Sequence, residues 1–184
     1  MIIGITGTLG AGKGTIVEYL KKKGFKHFSA RDYFLQIVRE KGMPENRDST
    51  TKVANELREK HGPDFIAVEL YRQAEEEGGR SIIESLRTPG EVEYLRKKEN
   101  FCLIAVDADV HKRYERIKDR KSITDIVSFE EFVEQEKREM NSTDPTKGNI
   151  AACIALADYK FTNNGTKEEL EVQVEEVLPH LQNI

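Results

Sequence analysis

Apolar residues along the chain fall into two alternating kinds of spacing. Short runs recur at 2–6 (IIGIT), 26–29 (KHFS), 81–85 (SIIES), 101–108 (FCLIAVDA) and 159–162 (YKFT). Runs of this length, bounded by glycine or polar residues, predict strands, and the run at 101–108 is the most apolar. Between them the spacing is helical. Residues 13–23 turn Ile16, Val17, Tyr19 and Leu20 to one side and stop at Gly24. ARDYFLQIVREKG predicts a helix ending at Gly42, and 44–48 reads as a polar turn. Helices follow at 49–61, capped by Asp48 or Ser49, and at 64–77, with Pro63 and Asp64 at a helix start. TPGEVEYLRKK is a turn and short helix, and 110–120 and 149–157 are helical. Ser128 with Glu131, and Thr166 with Glu169, have capping-box spacing. The last helix carries the stripe Leu170, Val174, Val177, Leu178 and Leu181.

Strands alternating with helices predict an α/β fold, a five-stranded parallel sheet covered by helices on both faces in three layers. No repeat or long linker divides the 184 residues, so one domain is expected. Three helices between the second and third strands exceed what one crossover needs, so 31–78 is expected to include an inserted flap. The core would then be 1–30, 79–118 and 129–184.

Composition narrows the function classes. A net charge of −4 argues against a dedicated nucleic-acid binder. No apolar run approaches the ~20 residues of a membrane helix, and MIIGITG lacks the regions of a secretory signal. Cys102 and Cys153 lack metal spacing and read as buried, reduced thiols. A cytoplasmic protein, monomer or homodimer, without membrane or nucleic-acid partner, is expected.

The chemistry concentrates in GITGTLGAGKGT, residues 4–15. Gly7, four residues, Gly12 and Lys13 match a phosphate-binding loop that follows a strand and opens a helix. Thr8, Leu9, Gly10 and Ala11 lie between. The glycines let backbone N–H groups converge, the helix N-terminus adds positive potential, and Lys13 would reach the outer phosphates. Gly14 stands where such loops usually carry Ser or Thr, so that position offers Mg²⁺ no side chain; Thr15 follows it.

The GAGKGT form resembles the loop of adenylate kinase and other nucleoside monophosphate kinases, which hold the metal of Mg·ATP largely through water. The resemblance extends over most of the chain. HFSARDYF, with Ser29, Arg31 and Asp32, stands where those kinases meet the acceptor nucleotide. Their usual Thr-Gly pair is Ala30-Arg31 here, and their arginine slot holds Leu35, which leaves Arg31 or Arg39 as substitutes. In IIESLR, Glu84 takes the place of an acid that orders the metal's waters, and Arg87 that of an arginine holding the acceptor phosphate. Asp107 also ends an apolar strand, but Glu84 is preferred because Arg87 follows it. KVANELREKHGPD and ADYKFTNNGT are similar to segments of an adenylate-kinase-related group of P-loop proteins.

By family position Arg116 and Arg120 read as arginines at the base of a lid, 119–128, and Arg138 as a further catalytic arginine. Arg113 shares their helix face and reads equally as part of a solvated helix. The lid has no paired cysteines and so no zinc. Arg47, Lys52, Asn55 and Arg58 are acceptor candidates on the flap, and the last three share one face. Asn164, after the fifth strand, lies where the family holds adenine, or in a plain tight turn. The four histidines show no metal or triad spacing.

What the resemblance implies is a phosphotransferase using ATP and Mg²⁺ on small-molecule nucleotides. The acceptor would be a nucleoside or deoxynucleoside monophosphate. Dephospho-coenzyme A is the alternative, whose hydroxyl would need a base such as Asp32. The rival class is an ATP-binding regulatory module. A GTPase is disfavoured, since no Asp has Gly three residues on.

Overall fold

A computed structural model of the chain describes residues 1–120 and 127–181. Five strands form one parallel sheet in the order β2-β3-β1-β4-β5. They are β1 (Ile2–Gly7), β2 (Lys26–Ser29), β3 (Ser81–Leu86), β4 (Phe101–Asp107) and β5 (Tyr159–Thr162). The helices are α1 (Lys13–Lys22), α2 (Ala30–Glu40), α3 (Arg47–His61), α4 (Phe65–Glu77), α5 (Pro89–Arg96), α6 (Val110–Arg120), α7 (Phe129–Met140), α8 (Ile150–Ala155) and α9 (Lys167–Leu181). The expected α/β architecture is therefore observed. Most of the expected lid, residues 121–126, lies outside the described residues.

The central strand β1 is buried throughout. On one face Ile3 and Ile5 pack with Ile16, Leu20, Val174 and Leu178 of α1 and α9. On the other, Ile83, Leu86 and Leu103 meet Phe34, Val53, Ile66, Leu70 and Leu95 from α2 to α5. Each face thus carries its own apolar layer, as a doubly covered parallel sheet requires. Both expected capping boxes form, Ser128 with Glu131 and Thr166 with Glu169. α3 begins two residues earlier than its sequence suggests. Its cap is Asn46, whose Oδ1 accepts from the Ser49 N–H at 2.8 Å, rather than Asp48 or Ser49. Asn46 is extended, as a cap must be, while Asp48 and Ser49 already lie in the first turn.

Candidate functional site

The glycine loop joins β1 to α1, and three neighbouring elements hold it. At its end Gly12 caps α1 with φ 112°, where a Cβ would lie 2.3 Å from Asn163 Nδ2. That amide, just past β5, donates to the Ala11 carbonyl at 2.7 Å. Thr8 Oγ1 donates to Asp107 Oδ1 at 2.5 Å, at the end of β4. Arg113, buried on α6, donates to the Leu9 carbonyl at 3.2 Å and to the Ala108 carbonyl at 2.8 Å. Arg113 is thus a brace beneath the loop rather than part of a solvated face. Gly14 differs from Gly12: a Cβ there would meet nothing within 4 Å.

Lys13 Nζ donates to the Gly7 and Thr8 carbonyls, both at 2.9 Å. Desolvation lowers its pKa to about 8; Glu84 opposes the shift, while Arg87, Arg47 and Arg120 add to it. An ammonium already crowded by cations is poised to gain from an arriving polyphosphate.

The second wall is the end of β3. Ile5 pairs with Glu84 and Thr6 with Leu86, so Ser85 is a bulge, held at φ 72°. Thr6 Oγ1 pins its far side by donating to the Leu86 carbonyl at 2.8 Å. A non-glycine residue in this region is strained and persists where surrounding contacts over-determine it. Ser85 Oγ donates to Glu84 Oε1 at 2.7 Å. Burial pushes the Glu84 carboxyl up, but His27, Lys13 and Ser85 outweigh it and hold it down at about 2. His27 Nε2 sits 3.8 Å from Glu84 Oε2, too far for a hydrogen bond, so its help is electrostatic.

Arg87 is fixed at both ends. Its N–H donates to Glu91 Oε2 at 2.6 Å, its carbonyl accepts from the Asn149 N–H at 2.8 Å, and its guanidinium pairs with Glu139 of α7. Glu91 is fully buried, completes the α5 capping box with Thr88, and accepts from Arg58 Nε at 2.9 Å.

These walls enclose a cleft of about 840 Å³. It brings together most of the loop residues, Leu9, Gly10, Gly12, Lys13, Gly14 and Thr15, with Glu84 and Arg87. Ser29, Arg31, Asp32, Arg47, Arg116 and Arg120 line it too. A recess of about 30 Å³ opens beside it, where Asn55 and Arg58 join Arg31 and Arg87 against apolar Phe34 and Ala54. Gly7, Thr8 and Ala11 are buried behind the loop. Lys52 is exposed and lines neither space. Arg138 is exposed too, 3.6 Å from Asp48. Asn164 turns away, its Oδ1 accepting from the Asp109 N–H at 2.8 Å; its neighbour Asn163 lines the cleft instead. Of the two substitutes for the arginine missing at Leu35, Arg31 faces the cleft while Arg39 pairs with Glu45. Arg116 donates to the Asn163 and Gly165 carbonyls at 2.9 and 3.2 Å, which ties α6 to the turn after β5.

Thr15 and Glu84 both face the cleft, while Asp107 lies outside its lining. Among the described residues no group of three or more His, Cys, Asp or Glu side chains could hold a metal directly. One hydroxyl and one ionised carboxylate suit a hydrated Mg²⁺, which keeps several waters and takes few protein ligands. Sequence reasoning missed His27, Asn163 and Glu139. Asn163 carried a visible signal, adjacency to the end of β5; His27, inside β2, and Glu139 carried none. Among the described residues no helix is long and apolar enough to cross a membrane.

A family model described as AAA domain matches residues 3–141. A UPF0200 protein from Thermococcus kodakarensis is 30% identical, and the match covers 98% of each chain. Among solved structures, TT1252 from Thermus thermophilus superposes with a TM-score of 0.62 at 22% identity, covering 98% of this chain and 97% of that one. Shikimate kinase from Bacteroides thetaiotaomicron gives 0.58 at 16% identity, covering 99% and 98%. These two likenesses establish a kinase-like fold and no more. The loop at 7–15, the five-stranded parallel sheet and the near full-length relative agree: the chain belongs to the AAA-domain family of P-loop proteins and to the UPF0200 proteins.

Proposed function

We propose that the protein is a phosphotransferase that moves the γ-phosphoryl of Mg·ATP to a small phosphorylated acceptor, a nucleoside or deoxynucleoside monophosphate. The observation that carries this reading is the convergence of Lys13, Glu84, Arg87, Arg47 and Arg120 on one cleft beside the glycine loop. Phosphoryl transfer needs positioning and cations around a spreading negative charge rather than covalent participation by the protein. In this reading the loop N–H groups and Lys13 hold the donor phosphates. The turn at Asn163–Gly165, braced by Arg116, borders the donor base. Arg87 and Arg47 hold the acceptor's phosphate, with Arg31, Asn55 and Arg58 around the recess. Thr15 and Glu84 would hold a hydrated Mg²⁺, which neutralises charge on the transferring group. A phosphate acceptor is already anionic, so no general base is required. Arg138 would have to leave Asp48 to take part and is given no role.

The test is ADP formation from Mg·ATP with and without a panel of ribo- and deoxyribonucleoside monophosphates. Acceptor-stimulated ADP is expected, and Lys13→Ala should abolish it in a folded protein. ATP binding without turnover on any acceptor would instead favour a regulatory module. A second reading, transfer to a hydroxyl such as that of dephospho-coenzyme A, is favoured by one observation: Asp32 lines the cleft and could serve as base. Asp32→Ala would then stop turnover while Mg·ATP binding survived.

A further inference from the structure

Glu139 is a buried carboxylate for which the reading above has no use. It sits near the end of α7, its side chain 7% exposed, and binds two arginines from different parts of the chain. Arg47, at the start of α3, reaches it with Nε at 3.3 Å and Nη2 at 3.2 Å; Arg87, past the end of β3, pairs with the same Oε2. Thr51 Oγ1 donates to Oε1 at 3.1 Å. The backbone beneath is packed tightly: a Cβ at Gly148 would lie 3.2 Å from the Glu139 carbonyl oxygen.

Each arginine gives part of its guanidinium to Glu139. Arg47, its side chain 8% exposed, keeps Nη1 without a hydrogen-bond partner among the described residues. Both arginines line the cleft. Two guanidinium charges against one carboxylate leave the group net positive and able to accept an anion. Without the carboxylate, the two like charges would repel, and Arg47 would be buried without its counterion.

We propose that Glu139 is a positioning residue, which holds Arg47 and Arg87 together so that their remaining donors form the seat for the acceptor's phosphate. This rests on the phosphotransferase reading for its biological meaning, but the seat itself can be tested separately. The opposite role for a carboxylate among arginines is competition with the acceptor, and the two roles differ in sign.

The experiment loads the protein with Mg²⁺ and a non-hydrolysable ATP analogue, so that the glycine loop is filled, and titrates inorganic phosphate by calorimetry. Wild type should bind phosphate, and Arg87→Ala should not. Glu139→Gln should bind it at least about tenfold more weakly while analogue affinity stays unchanged. Glu139→Asp, which keeps the charge on a shorter stem, should fall between, and carries the test alone if Glu139→Gln fails to fold. In turnover assays the KM for the acceptor should rise in the same order, with the KM for ATP constant. Equal or tighter phosphate binding by Glu139→Gln, or none by wild type, overturns the assignment. If phosphate binding follows the expected order but no mononucleotide stimulates ADP formation, the phosphotransferase reading fails and the seat stands. If acceptors do stimulate but Glu139→Gln leaves their KM unchanged, the seat fails and the reading stands.

Discussion

Lys13 should take up a proton when nucleotide binds. In the free protein burial and the nearby arginines hold its pKa at about 8. A bound polyphosphate favours the charged form and should return the group to at least its ordinary range, above about 10. The difference between the two protonation curves sets the uptake. It should be about 0.1 proton at pH 7, about 0.5 at pH 8 and about 0.8 at pH 9, because free Lys13 loses its proton first. By the same linkage, nucleotide affinity should weaken toward a limiting tenfold per pH unit above about pH 8. Calorimetric titration of Mg·ADP in buffers of different ionisation enthalpy measures this number directly. Lys13→Arg supplies the control, since a guanidinium stays charged throughout and should show no uptake from this site. The stability sign runs the opposite way from a stabilised lysine: a depressed lysine opposes folding fully below pH 8, and that opposition fades as pH rises from 8 toward 10.5. Proton release, or uptake independent of pH between 7 and 9, would refute the account of a desolvated ammonium facing the phosphates.

Glu91→Gln should lower stability by about 4 kcal/mol, because it leaves the Arg58 charge buried without a counterion. In a chain of this size that is roughly 8–16 °C in melting temperature, and adding Arg58→Met should recover more than half of it. An equal loss in the double variant would show that the pair is not the cause. Gly12→Ala should destabilise the loop and reduce nucleotide binding, since its Cβ would overlap Asn163. Gly14→Ala should be tolerated, gaining about 0.5–1 kcal/mol in a thermal melt. Asn163→Ala leaves the Ala11 carbonyl without its donor and should cost about 1–3 kcal/mol, with weaker nucleotide binding by calorimetry. Glu84 and Glu139 both titrate at about 2 rather than 4.5. The stability they lend is therefore full above pH 4.5 and lost as pH falls toward 2, and Glu139→Gln should flatten that acid limb in denaturant titrations.

The parts of this molecule that were legible in the sequence are those whose cause is local. Apolar runs marked the strands because both sheet faces are covered, and the two capping boxes are four-residue events. The phosphate loop was legible for the same reason. Where several residues could satisfy one local need, pattern could not choose. Asn46, Asp48 and Ser49 can all cap a helix, and only the backbone's turn selects Asn46. Asn163 and Asn164 are adjacent amides, and the reach to Ala11 separates them. Arg31 and Arg39 lie on one helix, and a surface partner, Glu45, draws the second away. Glu139 was invisible because its partners lie 92 and 52 residues distant and meet it only once the chain has folded. Glu84 and Asp107, equivalent as acids ending strands, are separated by geometry alone: one faces the cleft and the other accepts from Thr8.

The bulge at Ser85 changes how β3 must be counted. In a regular strand side chains alternate, so residues an odd number of places apart point to opposite faces. Ile83 and Leu86 are three apart, yet both pack into the same apolar layer, and Glu84 and Arg87, also three apart, both line the cleft. The extra residue opposite Thr6 resets the alternation and lets an acid and a base of wrong parity share one side. The Glu-x-x-Arg spacing in this chain is therefore a statement about the bulge as much as about the two side chains. Deleting Ser85 would leave Glu84 and Arg87 two places apart in a regular strand, and so still on one side; what it would remove is the left-handed turn at that position and the hydroxyl that donates to Glu84.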